Sequence, residues 1–205
     1  MTFLRQLTQK PWAAAQARVD DLHVGGEFSL PTAKLGLRVF LGVATVLFSL
    51  LVVSYADRVA FADWRPIPTP WLLWLSTAIL IVSSVALHWA SVGADRGQMD
   101  VVTGGLLTGG VTAVGFLASQ LLAWQQLAAL GYYSPANPAV AFFYLLTALH
   151  GLHLLGGLVA WGRTAAKVRR GVDLEQVRLS LELCATYWHF LLAVWLVLFG
   201  LLLFT

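Results

Sequence analysis

The chain has 205 residues, of which 59% are hydrophobic and only 11% charged, with a formal net charge of +3. A soluble domain of this size needs a far more polar surface, so the composition excludes a soluble globular protein and points to an integral membrane protein. Cys184 is the single cysteine, which excludes an internal disulfide and any multi-cysteine zinc or iron–sulfur site.

In chain order, the first 34 residues mix Trp12, Leu22 and Phe28 with charges, are split by Gly25 and Gly26, and end after Pro31. Arg5, Lys10 and Arg18 interrupt any apolar run, so this is not the pattern of a cleavable signal peptide. The expected structure is a cytoplasmic tail, lying on the membrane face or against a partner, with a short interfacial helix near Trp12–Leu22. A membrane span needs about 20 apolar residues. Five windows reach that length: Leu35–Ala56, Trp71–Val92, Val102–Leu127, Pro138–Gly162 and Leu179–Phe204. The expectation is an all-α bundle of five transmembrane helices forming one domain over residues 35–205.

Lys and Arg set the orientation of such a bundle. Eleven of the thirteen fall on one side: Arg5, Lys10, Arg18, Lys34 and Arg38 before or at the first span, Arg96 in the second joint, and Arg163, Lys167, Arg169, Arg170 and Arg178 in the fourth. Only Arg58 and Arg65 fall on the other, which puts the N-terminus inside and the C-terminus outside. The net positive charge follows from this bias, and no basic stripe on a soluble domain exists to hold nucleic acid.

The first outer joint carries Pro66, Pro68 and Pro70, which keep it extended until the second span begins. Trp64, Trp71 and Trp74 stand where an interfacial aromatic belt is expected. The second span holds Ser76, Thr77, Ser83 and Ser84, small hydroxyl residues suited to close helix packing, then His88 and Trp89. The third opens with Gly104, Gly105, Gly109 and Gly110, and Gly105-xxx-Gly109 marks a face against a neighbouring helix. Gln120 lies within that span and is expected to bond across to another helix. Cys184, inside the fifth span, reads as a small core residue.

The chemistry concentrates in two stretches, Ala141–Gly157 (AFFYLLTALHGLHLLGG) and Ala185–Trp195 (ATYWHFLLAVW). His150 and His153 share one face of the fourth helix. His153 and His189 lie at similar depths and would meet if the fourth and fifth helices are adjacent. Polar groups in a bilayer are costly and face other protein, so each is a functional candidate. One reading makes His153 and His189 ligands, for instance of a haem. The other makes the histidines neutral interhelical hydrogen-bonding groups, with Thr147, Glu182 and Tyr187 nearby; spacing alone favours the second. No cluster of His with Asp or Glu, no nucleophile–base pair and no phosphate loop is present. No catalytic, cofactor-binding or metal site is therefore assigned.

These stretches resemble a known family. FFYLLTALHGLHLLGG is similar to the FF-x-LTG-x-HGLHV-x-x-G signature of subunit III of the haem-copper oxidases. Glu182 followed by Tyr187-Trp188-His189-Phe190 and Trp195 resembles its second mark. Trp64-x-Pro66 with Leu75–Ser84, Gln120 with Trp124, and Lys34-Leu35-Gly36 resemble further blocks, so the likeness covers about Lys34 to Phe204. The five-span length looks like the short bacterial form, found in quinol and cytochrome c oxidases alike.

The resemblance implies a non-catalytic accessory subunit in the bacterial inner membrane, within a proton-pumping complex of aerobic respiration. Such a subunit packs on subunit I, holds phospholipid, and supports proton uptake and stable turnover. Haem and copper belong to the partner subunits. The implied structural or lipid-interface residues are Gln120, Trp124, His150, His153, Glu182, Tyr187, Trp188 and His189. Three acids usual in the family are absent: their places hold Ala44, Ala123 and a residue within Leu191-Leu192, as in a divergent branch. The accessory protein of nitric oxide reductases is a related alternative, and a free-standing membrane haem protein using His153 and His189 is another. A small transporter finds little support, since no charged pathway or inverted repeat is evident.

Overall fold

The computed structural model describes residues 32–132, 137–172 and 174–204. Five helices dominate them: α1 (Thr32–Val59), α2 (Leu72–Asp95), α3 (Met99–Ala129), α4 (Pro138–Arg169) and α5 (Leu174–Leu203). No strand occurs among the described residues, and all five helices are long and apolar enough to cross a membrane. The tail and the interfacial helix expected near Trp12–Leu22 lie outside the described residues.

The helix ends follow local chemistry. Asn137 caps α4 by accepting the Ala139 N–H at 3.1 Å, and Pro138 occupies the first helical position, where its missing N–H costs nothing. At the ends of α2, α3 and α4 the chain turns on Gly97, Gly131 and Gly171, whose φ angles are 71°, 87° and 65°. Each allows the next residue's N–H to close on a carbonyl five positions back: Gln98 on Gly93, Tyr132 on Leu127, Val172 on Lys167. α4 and α5 run beyond their apolar windows, to Arg169 and from Leu174. Lys, Arg and Glu are good helix formers, and the helix continues after the hydrophobic run stops.

α2 packs against α3 and α5, and α4 packs against the same two, so four helices close into a ring. Trp188, Trp195, Phe116, Phe143, Leu73, Leu80 and Leu87 fill its interior and are fully buried. Three of the four seams rest on glycine. A Cβ on Gly105 would lie 2.6 Å from the Ala86 carbonyl oxygen, and one on Gly109 would lie 2.7 Å from Leu87 Cγ, so the Gly105-xxx-Gly109 face is the α2–α3 contact. Gly110 seats the ring of Trp161 from α4, whose Nε1 donates to the Leu106 carbonyl at 2.9 Å. Gly157 lies under Tyr187 and Trp188 of α5. Only the α2–α5 seam is built otherwise.

From Val39 onward α1 behaves differently. Its Cα atoms stay more than 8 Å from those of the other helices, and it reaches them through rings spaced about two turns apart. Phe40 meets His153 and Tyr187, Phe48 meets His150 and His153, and Tyr55 meets Phe142 and Trp64, at centroid separations between 5.0 and 6.4 Å. Trp71 and Trp74 are exposed, as an interfacial belt requires. Trp64 instead turns inward against Tyr55, because the joint is drawn in: Asn137 Nδ2 donates to the Arg65 carbonyl at 3.0 Å.

Candidate functional site

The α2–α5 seam is a ladder of hydroxyls and indoles. Ser76 and Ser83, and Thr77 and Ser84, form two rows seven residues apart on α2. Trp188 and Trp195 are spaced by the same seven residues on antiparallel α5. Trp195 Nε1 donates to Thr77 Oγ1 and Trp188 Nε1 to Ser83 Oγ, each at 2.9 Å, and His189 Nδ1 lies 2.7 Å from Ser84 Oγ. From α3, Gln120 Nε2 donates to Ser76 Oγ at 2.9 Å. The hydroxyls of Ser76 and Thr77 donate in turn to the Leu73 carbonyl, and that of Ser83 crosses to the Gly109 carbonyl at 2.7 Å. Each of these three therefore donates to a carbonyl while receiving an N–H, which uses both halves of its bonding capacity.

The α4 stretch makes a second set. Trp124 Nε1 donates to Thr147 Oγ1 at 3.0 Å, and the Tyr144 hydroxyl donates to the Trp124 carbonyl at 3.3 Å, fixing the end of α3 on α4. The Tyr187 hydroxyl donates to the His153 carbonyl at 2.8 Å. His153, half-buried, donates from Nδ1 to the Leu149 carbonyl at 2.8 Å, with its ring against Phe40 and Phe48. His150 is fully enclosed by Trp195, Phe116 and Phe48, and neither ring nitrogen has a hydrogen-bond partner in the chain. Ala44 is buried on α1 one turn from Phe48.

An enclosed imidazole without a partner carries a desolvation cost of ~1–3 kcal/mol. His150→Leu is accordingly expected to leave the thermal unfolding temperature unchanged or raise it, despite the place of His150 in the signature. A clear fall in that temperature would show that His150 is hydrogen-bonded in the membrane.

α4 and α5 are adjacent, as the histidine-pair reading required, yet His153 and His189 are not presented to a common ligand. His153 faces the aromatic rings of α1, whereas His189 turns to α2 and engages Ser84 and His88. Glu182 is exposed, and its carbonyl accepts the Thr186 hydroxyl at 2.8 Å. No group of three or more His, Cys, Asp or Glu among the described residues is placed to hold a metal ion. Of the eight residues singled out from sequence, Gln120, Trp188 and His189 converge on α2, while Trp124, His150, His153 and Tyr187 line the faces of α4. Sequence reasoning missed Trp161, and it missed that Thr77 and Ser83 accept the indole N–H groups while Ser84 pairs with His189. The matched seven-residue spacing of the hydroxyls and of Trp188 and Trp195 was the signal for the latter.

An apolar cleft of about 350 Å³ opens between α1 and α5. Thr45, Phe48, Val52 and Val53 line one wall; Phe190, Val194 and Val197 line the other.

Residues 59–204 match the family model described as cytochrome c oxidase subunit III. The chain is 30% identical over 190 residues to cytochrome c oxidase subunit 3 of Thermostichus vulcanus, covering 90% of each chain. It is 29% identical over 178 residues to a probable cytochrome c oxidase subunit 3 of Mycobacterium bovis, covering 83% of this chain and 86% of the other. Similarity extends to the cytochrome bo(3) ubiquinol oxidase subunit 3 of Pseudomonas putida, 24% identical over 125 residues, 61% of this chain and 60% of that one.

Proposed function

The chain belongs to the cytochrome c oxidase subunit III family, accessory subunits of haem-copper oxidases, and from that premise we propose that it packs on the catalytic subunit of a bacterial terminal oxidase and stabilises it there. Membership implies a complex with other oxidase subunits. In that complex the haem and copper reside in the partners, the membrane is the bacterial cytoplasmic one, and the Arg-rich joints face inside. The observation that supports this best is the family match over residues 59–204. The geometry agrees with it, since the signature side chains mostly serve helix packing: Trp124, Tyr187, Trp188 and Trp195 each make an interhelical hydrogen bond.

The α1–α5 cleft suits a phospholipid acyl chain, because its walls are aliphatic and aromatic and α1 is spaced from the ring by side chains alone. Ala44 and Ala123, which stand where the resemblance implies acids, are buried. The chain's support of proton uptake then lies in holding the catalytic subunit and lipid in position, with no proton passing through those positions.

The test is a pull-down of the tagged chain in mild detergent with a reduced-minus-oxidised spectrum of the eluate. Haem bands are expected with a large multi-span partner, and are expected to vanish when the chain is isolated. Haem retained by the isolated chain would overturn the proposal and make the histidines ligands.

A further inference from the structure

One polar relay of the α2–α5 seam does not end in the core. Ser84 is buried, while His189 and His88 are both exposed. Ser84 Oγ lies 2.7 Å from His189 Nδ1, and His189 Nε2 lies 3.5 Å from His88 Nδ1, with the rings 5.4 Å apart. The two imidazole tautomers are coupled. If the Ser84 hydroxyl donates to His189, the relay ends on His88 Nε2 as an N–H donor; if it runs the other way, the same atom ends it as an acceptor. In both cases His88 Nε2 is the outward terminus. It stands about two turns of helix inside the Asp95 end of α2 and one turn inside the end of its apolar window at Val92, where a hydrocarbon neighbour has no hydrogen bond to offer.

Beside it the surface is shaped for close approach. A groove of about 470 Å³ runs between α2 and α3, lined by Ile81, Val85, Trp89, Val101, Gly104 and Thr108. A Cβ on Gly104 would meet nothing within 4 Å, so the floor of the groove is open to a backbone from outside the chain. Val85 and Ile81 lie one and two turns along α2 from His88, on the same face and both exposed. Small residues that admit a neighbouring backbone, next to an unmet polar atom, are the two features that associate helices in lipid.

We infer that this face of α2 and α3 docks against a transmembrane helix of the oxidase's catalytic subunit, and that the helix presents a hydrogen-bonding side chain to His88 Nε2. The inference rests on the accessory-subunit reading above and adds the docking face and its chemistry. An acyl tail has no group for an imidazole nitrogen, and a lipid headgroup would have to be drawn about one turn inside the end of the apolar window at Val92 to reach it.

The experiment places a benzophenone side chain at Val85, at Thr108 or, as a control, at Val159 on the exposed face of α4, in the tagged chain expressed with its whole complex and irradiated in native membranes. Cross-links to the haem-carrying subunit are expected from Val85 and Thr108 and not from Val159. In parallel, His88→Leu is expected to lower the haem retained per tagged chain in mild detergent roughly three- to thirty-fold, the scale of one interhelical hydrogen bond, with His88→Asn restoring part of it and the amount of chain in the membrane unchanged. Cross-linking from Val159 alone, or from Val85 and Thr108 only to lipid or to a second copy, would overturn the docking face and leave the accessory reading standing. Failure of any haem-carrying partner to co-purify with the unmodified chain would overturn both.

Discussion

Gly105→Leu is expected to separate α2 from α3 and to abolish a stable ring. The obstacle is backbone. Even the first atom of a side chain at Gly105 would lie 2.6 Å from the Ala86 carbonyl oxygen, 2.8 Å from Ala90 Cβ and 3.1 Å from the Ala90 nitrogen, and no rotamer change moves a carbonyl. Overpacking by a methyl or two in a filled core costs ~1–3 kcal/mol, so Gly105→Ala is the graded version and the leucine exceeds it. Gly156 provides the control, because a Cβ there meets nothing within 4 Å. Gly156→Ala removes a glycine from a helix interior and is expected to gain up to about 1 kcal/mol. Thermal unfolding of the purified complex followed by tryptophan fluorescence measures all three. If Gly105→Ala unfolds at the same temperature as Gly156→Ala, the α2–α3 contact is looser than its geometry states.

Trp188→Ala carries the second large effect. Its indole is fully buried among α2, α4 and α5, so truncation opens a cavity on the scale of ~3–5 kcal/mol. Trp188→Phe separates the two contributions. It keeps most of the ring volume and removes the N–H that donates to Ser83 at 2.9 Å, and interhelical hydrogen bonds in membranes average about 0.6 kcal/mol. The expected order of stability is wild type, then phenylalanine by a small margin, then alanine by a large one. A phenylalanine variant as damaged as the alanine one would show that the hydrogen bond, and not the packed volume, holds the seam.

Some of this is legible in the residues alone. Five spans follow from hydropathy because a bilayer leaves the backbone few alternatives to a helix, and Gly105-xxx-Gly109 is a contact face because only small residues let two backbones approach. The two signature stretches also stand out, as histidines set in apolar runs. What they do was less visible. His150 looks like a functional group in sequence, but three rings drawn from α1, α3 and α5 enclose it, and no local pattern announces that convergence. Trp161 looks like one more interfacial tryptophan, yet Gly110 on α3 leaves a seat into which its ring fits. The matched depth of His153 and His189 was real arithmetic with the wrong geometry. Depth along a helix fixes a level, and the direction in which each ring points depends on rotation about the axis, which only the packed neighbours decide. The helices outrun the apolar windows for a simpler reason: hydropathy reports where lipid stops, and the backbone hydrogen-bond ladder of α4 and α5 continues into the charged residues.

The hydroxyl ladder also bears on the order in which the chain can be made. Ser76 and Thr77 already donate to Leu73 in their own helix, and Ser83 to Gly109 of the next, so the α2–α3 hairpin can leave the translocon with these three hydroxyl protons bound. Within the ladder, the N–H groups that find partners only when the ring closes are those of Trp188 and Trp195, on the last of the five helices. A ribosome stalled before α5 would thus leave a tolerable hairpin in the lipid, whereas an α5 that emerged without finding α2 would expose two unmet indoles. That asymmetry gives membrane quality control a chemical mark of incomplete closure, carried by the segment whose arrival completes the ring.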